Sequence, residues 1–339
     1  MRVMFIVPRS EDIELHPLAE RRVLQLPSGE TVRTPLVVPS FSSRVPDIEK
    51  IVRATEEFID SAFLVSAFDV ANGLISPPLE FGGPIFLDSG GYEVATDTDL
   101  SDVSSEPSGS PGDWSEEQHQ KVVSAWSSAI PTILISYDHP MNRVTLAEQI
   151  EKGRALNTSR SDCAIELLLK PETKGQRFLQ MRPIIDKVQE LSPFQAIGVT
   201  EKEVGKSILD RMINIARLRR ELCRVGLNTP IHVFGSLDSI TTLFYFVAGA
   251  DIFDGLTWLR YAFKDGHTLY RQDYGISEFG IATKSPKVEA LCWAKNYYYI
   301  KDMELEMRRF LNSHDFSIFK FHGEALEKAY ENVREEVER

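Results

Sequence analysis

Three aspartates in this chain stand at the ends of short apolar runs: Asp88 in "PIFLDSGGYEVA" (84–95), Asp138 in "TILISYD" (132–138) and Asp254 in "DIFDG" (251–255). A carboxylate at the tip of a buried strand faces one rim of its sheet, and that rim is where parallel α/β proteins gather their chemistry. Asp88 has further company. Gly90 and Gly91 follow it and free the backbone of side chains, so that a ligand can approach closely, and Tyr92 adds an aromatic ring. Taken singly, an Asp at a strand end is more often a cap or turn former, Tyr92 a rim aromatic packed beneath a loop, and Gly198 a tight βα turn. The histidines, His139 and His232 among them, show no metal-ligand spacing, and no metal site is expected. Cys163, Cys223 and Cys292 contain no CxxC pair, so no disulfide framework is readable either.

The elements that must position these residues follow from hydrophobic patterning. Eight short apolar runs read as buried strands: "LVVPSF" (36–41), "FLVSAFDV" (63–70), "PIFLDSG" (84–90), "TILISYD" (132–138), "CAIELLLK" (163–170), "QAIGV" (195–199), "IHVFG" (231–235) and "DIFDG" (251–255). Helical stretches separate most of them, at 45–58, 115–129, 145–156, 175–191, 203–225 and 237–249, with Ser115 and Thr145 as N-caps. Alternation of this kind predicts a parallel sheet, and eight strands predict closure into a (β/α)8 TIM barrel, with a doubly wound open sheet as the alternative. In a barrel all three aspartates would open into one mouth.

Two additions flank the barrel. The N-terminus offers a strand, "RVMFIVP", and a hairpin, "RRVLQLPSGETVRTP", turning at Pro27-Ser28-Gly29. Beyond about residue 285 the pattern is helical, and Leu326, Ala329, Tyr330, Val333 and Val337 share one face of the last segment. The expected organisation is a catalytic barrel with its hairpin over 1–285 and a docked helical extension over 286–339. The polar stretch 95–114 reads as a mobile loop over the C-terminal rim.

Composition narrows the class. The chain has 339 residues, 42% hydrophobic and 26% charged, which suits a soluble globular protein. No apolar run nears the roughly 20 residues needed to span a bilayer, so no membrane partner is expected. The opening "MRVMFIVPRSEDIELH" turns acidic too soon for a signal peptide, which predicts a cytoplasmic protein. A net charge of −12 argues against indiscriminate coating of nucleic acid but permits a local basic patch.

The motifs also carry a resemblance. "GETVRTPLVVPSFSS" followed by "FLDSGGYEVA", "ISYDHP", "FQAIGV", "GADIFDGLTWLR" and "NYYYIKDMELEMRRFL" resembles, in order, the tRNA-guanine transglycosylase (queuine tRNA-ribosyltransferase) family. That resemblance implies a (β/α)8 barrel and exchange of guanine in a nucleic acid for a 7-deazaguanine base. It gives Asp254 the role of nucleophile and Asp88 that of general acid/base. Tyr92 packs against the base, Asp138 reads its edge, Gly198 lies in a loop lining the base pocket, and Arg260 lies near the polynucleotide backbone. Lys264 and Arg44 are further candidates for phosphate contacts, as are Lys202 and Lys206, while Arg217, Arg219, Arg220 and Arg224 read as a solvated outer helix face.

Such chemistry suits the residue types. A carboxylate ionised at neutral pH can attack ribose C1′ and leave again, as in retaining glycosidases. A second carboxyl can protonate the departing base. A third can accept from both N1–H and the 2-amino group of guanine. Gly90 and Gly91 would let the base slide beside the chain. No cofactor is called for.

The departures from the family are as specific. Its CxCxxC…H zinc site is absent from the shortened 261–295 region, which holds only Cys292. Lys170-Pro171-Glu172 stands where the family has Gln-Gly-Gly, Glu93 replaces a Gln, and Val199 replaces a Gly. The lost zinc module shifts the expectation toward the branch that modifies DNA, with tRNA as the alternative acceptor. A non-catalytic nucleic-acid-binding paralogue or scaffold and a barrel enzyme acting on a free nucleoside or sugar are the competing readings. Family members also form homodimers or act with partner proteins, although no interface is legible.

Overall fold

The computed structural model describes residues 17–95 and 107–338. The strand expected in "RVMFIVP" and residues 96–106 of the expected rim loop lie outside the described residues. A hairpin of β1 (Val23–Gln25) and β2 (Thr31–Arg33) comes first. Eight parallel strands follow: β3 (Leu36–Phe41), β4 (Phe63–Ser66), β5 (Ile85–Asp88), β6 (Thr132–Ile135), β7 (Ala164–Leu169), β8 (Ala196–Thr200), β9 (Ile231–Phe234) and β10 (Ile252–Gly255). They close into a barrel in which β10 pairs with both β9 and β3. The protein is therefore a (β/α)8 barrel.

Helices α1 (Ile48–Thr55), α2 (Ala67–Ala71), α3 (Glu116–Ala125), α4 (Leu146–Ser159), α5 (Met181–Asp186), α6 (Glu201–Val204), α7 (Ile208–Arg224) and α8 (Thr241–Val247) lie in the connections. Ser115 accepts from Gln118 N, and Thr145 forms a full capping box with Glu148, so both expected caps are present. After β10 come α9 (Thr257–Arg260), a hairpin of β11 (Ala262–Lys264) and β12 (His267–Leu269), then α10 (Arg271–Phe279), α11 (Ser285–Ser313) and α12 (Gly323–Glu338).

The period of two in the strands sorts side chains between two layers. Val37, Phe41, Phe63, Val65, Ile85, Leu87, Leu134 and Leu167 face outward and pack beneath the helices. Leu36, Val38, Leu64, Phe86, Ile133, Ile135, Ala164, Leu168, Ala196, Phe234 and Ile252 fill the interior, joined by Leu24 and Leu26 of the hairpin. The same parity carries Ser40, Ser66, Asp88, Glu166, Gly198, His232 and Asp254 inward. Polar side chains thus begin where the apolar inner layers stop.

The C-terminal helices are joined to this frame. Tyr297 of α11 donates to Asp60 Oδ1 at 2.6 Å, and α11 packs beside β3 and α1, where it completes the outer ring. Asn296 receives the N–H of Phe263 and donates to the carbonyls of Trp258 and Tyr261, which fixes α9 and its hairpin beside the mouth. Helix α12 lies across α7 and α8, burying Leu326 and Val333 on the expected face.

Helix α7 departs from the expected solvated arginine face. Arg219 is 1% exposed and pairs with Asp251, which also meets Arg22 of the hairpin at 3.2 Å. The face is amphipathic with a charged residue on its buried side, held there because a carboxylate at the start of β10 neutralises it. Arg217 and Arg224 do face solvent.

Candidate active site

Asp254 is the penultimate residue of β10 and takes hydrogen bonds from two directions and a close imidazole contact from a third. Ser40 Oγ of β3 donates to Oδ2 at 2.8 Å, the Gly235 N–H donates to Oδ1 at 2.9 Å, and His232 Nε2 lies 3.3 Å from Oδ1. Ser40 in turn accepts the Gly255 N–H at 3.0 Å, so its hydroxyl is oriented and the carboxylate is fixed. Asp254 is 6% exposed and Asp88 9%, both at the inner end of the mouth.

Asp88 ends β5 and lies among acids. Burial first, then the charges of Glu93, Asp138 and Asp254, hold its carboxyl well above the usual range, against a backbone hydrogen bond from Ser89. Those surroundings favour the protonated form of the carboxyl. Glu93 accepts from Ser42 Oγ at 2.6 Å and Ser66 Oγ at 2.8 Å, and burial raises it too. Asp69, at the start of α2, is pushed up to about 8 by burial and by Glu93.

Asp138 lies three residues beyond β6 and has the opposite electrostatics. Burial would raise it, but Lys170, a hydrogen bond from Ser89 Oγ and the charge of Arg143 outweigh that and hold it below the usual range. Lys170 Nζ lies 3.5 Å from Asp138 and 2.6 Å from Glu203, and it donates to Thr200 Oγ1 at 3.1 Å. Arg143 meets Glu203 at 2.8 Å. Asp138, Lys170, Arg143, His139 and Leu168 line a cavity of about 140 Å3 at this side of the rim. A larger one of about 240 Å3 lies at the opposite end of the barrel, between the β1–β2 turn and Cys163, away from the carboxylates.

The three aspartates expected to meet therefore do meet, and several companions take other places. Gly90 has φ +87, and a Cβ there would stand 2.8 Å from Trp114 Nε1, whose N–H donates to Ser89 O. At Gly91 a Cβ would stand 2.6 Å from Asp138 Oδ1. The paired glycines make room for an indole and a carboxylate of the protein itself. Gly198 lies inside β8 and not in a loop; a Cβ there would meet Phe234 at 2.6 Å and Glu166 Oε1 at 2.7 Å.

Among the candidate phosphate contacts, Arg44 is 4% exposed. It stacks 4.3 Å over the Tyr92 ring and donates to the carbonyls of Tyr92 and Ala95, so it shapes the rim instead of tracking a polymer. Lys264 pairs with Glu278 at 2.5 Å on the β11–β12 hairpin, its charge already answered. Arg260 remains at the mouth, half-buried, with its Nη2 3.3 Å from the Tyr92 hydroxyl.

Sequence reasoning missed one pair. Glu166 of β7 and His232 of β9 are fully buried below Asp254, with His232 Nδ1 2.9 Å from Glu166 Oε1. Burial alone would lower the imidazole, but Glu166 and Asp254 together raise it to about 9. The signal was a charged residue inside the apolar run "AIELLL" and a histidine inside "IHVFG".

Among the described residues no cluster of His, Cys, Asp and Glu could hold a metal ion, and no helix is long and apolar enough to cross a membrane. In comparisons with known proteins, no family model and no curated protein matches the chain.

Proposed function

We propose that the chain is a base-exchange glycosyltransferase, replacing guanine in a nucleic acid, DNA in preference to tRNA, with a free 7-deazaguanine. The observation that carries this reading is the meeting of Asp88 and Asp254 in one mouth under different surroundings. One is a carboxyl crowded by acids; the other is a carboxylate fixed by donors.

In the first step an Asp254 oxygen bonds to C1′ of the nucleotide sugar as the C1′–N9 bond breaks, the electron pair going to the guanine ring and the Asp88 proton neutralising it. In the second, N9 of the incoming base bonds to C1′, the pair of the C1′–O bond returns to Asp254, and Asp88 takes the N9 proton. Two displacements retain the configuration of the sugar.

Asp138 and Lys170 match the guanine edge. The ionised carboxylate accepts from N1–H and the 2-amino group, and the ammonium, which can only donate, suits the adjacent carbonyl. Tyr92 offers its ring to a base flipped from its stack, with Arg44 fixing the ring. Arg260, Lys202 and Lys206 are the cations assigned to phosphates in this reading. The short hairpin and α10 that stand where the resembled family has its zinc module support DNA as acceptor.

One observation favours a second reading, a nucleic-acid-binding subunit without activity. Asp138 is already met by both Ser89 and Lys170, which would compete with a base. Incubation with radiolabelled guanine or a 7-deazaguanine together with DNA, tRNA or free nucleoside separates these readings. Label in DNA is the expected result. Label in tRNA alone reverses the acceptor, label in nucleoside alone removes the polymer, and no label with any of them leaves the binding subunit.

A further inference from the structure

We infer that His232, held by Glu166, is a positioning residue that makes Asp254 a good leaving group, so that it governs breakdown of the sugar–Asp254 bond more than its formation. The inference rests on the base-exchange reading and assigns a role to two residues which that scheme leaves unused.

The geometry is a buried row of alternating charge across the barrel. Glu166 Oε1 lies 2.9 Å from His232 Nδ1, and His232 Nε2 lies 3.3 Å from Asp254 Oδ1. Glu166 and His232 are each 0% exposed. His232 is clasped by aromatic rings, with Phe234 stacked at 3.9 Å and Phe86 edge-on at 5.5 Å, so the ring has one orientation. Gly198 leaves room for the row, since a Cβ there would stand 2.7 Å from Glu166 Oε1 and 2.6 Å from the Phe234 ring. A buried acid serving only packing would be poorly tolerated inside a strand; here it fixes the orientation and favours the charged form of the ring above it.

The two oxygens of Asp254 are unequal. Oδ1 faces the Gly235 N–H and the imidazolium, whereas Oδ2 has only the Ser40 hydroxyl. Attack through Oδ2 leaves Oδ1 as the carbonyl oxygen of the glycosyl ester. Negative charge leaves this carboxyl group when the ester forms and returns to it when C1′–Oδ2 breaks. A cation fixed beside Oδ1 in a low-dielectric interior favours the charged carboxylate, and so favours the breaking step. His232 touches neither sugar nor base in this scheme.

The test uses Glu166→Gln and His232→Gln, the first keeping shape and hydrogen bonding while removing charge. Protein is mixed with guanine-containing DNA to form the covalent adduct, which is then chased with free base and followed on denaturing gels. Adduct decay at least tenfold slower in both variants, with formation changed less than threefold, is the expected result. Decay within twofold of the parent overturns the inference while the base-exchange reading stands. If parent protein forms no adduct with DNA or tRNA, the base-exchange reading falls and this role falls with it.

A separate measurement needs no substrate. In 15N-histidine-labelled protein, NMR should find His232 doubly protonated at pH 7, titrating at lower pH in Glu166→Gln. A neutral His232 at pH 7 in the parent overturns the inference whatever the adduct does, and Glu166→Gln that folds but leaves the titration unmoved does the same.

Discussion

At the scale of single residues, the roles of the acids follow from what surrounds each. Asp254→Asn keeps the volume and removes the proposed nucleophile, so no covalent adduct is expected on denaturing gels, and exchange should fall by about 10³ or more. The site also sets the pH dependence of stability. Asp69, raised to about 8, and His232, raised to about 9, both bind protons more tightly folded than unfolded. The Asp69 contribution is full below the ordinary carboxyl range and lost as pH rises toward 8. That of His232 is full below about 6.5 and lost toward 9. Urea midpoints should therefore decline from pH 6 to 9, and Asp69→Asn should flatten part of that decline. The carboxylates were legible because each ends an apolar run. Glu166 and His232 were not, because buried parallel strands read as continuous apolar runs and hide the pairing of residues 66 apart.

At the scale of elements, the strand positions were read closely and their ends less so. "FLVSAFDV" looks like one strand, yet β4 stops at Ser66, whose hydroxyl accepts from Phe68 N and starts α2. Periodicity cannot separate a buried strand from a buried helical turn in so short a run. The helix expected over 175–191 begins only at Met181, because Pro183, lacking an N–H, is accommodated in a first turn and not farther in. The long helix expected over 203–225 breaks near Gly205, where a Cβ would stand 2.7 Å from the Arg211 backbone nitrogen, and restarts from the Ser207 cap. The turn after β5 offers the sharpest test. Gly90→Ala forces a left-handed residue against Trp114 and Phe68 and should cost about 1–3 kcal/mol, read as a lower urea midpoint. Exchange should fall as well, since Asp88 is only two residues away.

At the scale of the whole molecule, two ends of the barrel have different tasks. The floor is fastened by Asp251, which holds Arg22 from the hairpin and Arg219 from α7. Asp251→Asn strands two interior guanidiniums and should cost about 3–5 kcal/mol in urea unfolding, while leaving the mouth's residues in place. The mouth is fastened differently. Ser40 comes from the first barrel strand and Asp254 from the last, and their hydrogen bond spans 214 residues of sequence. The reactive group sits on the seam where the ring joins itself. A growing polypeptide that has not yet made its eighth stave lacks Asp254, and one whose seam is open holds that acid loosely. On the base-exchange reading proposed above, competence to cut a glycosidic bond is thereby deferred until the cylinder is finished.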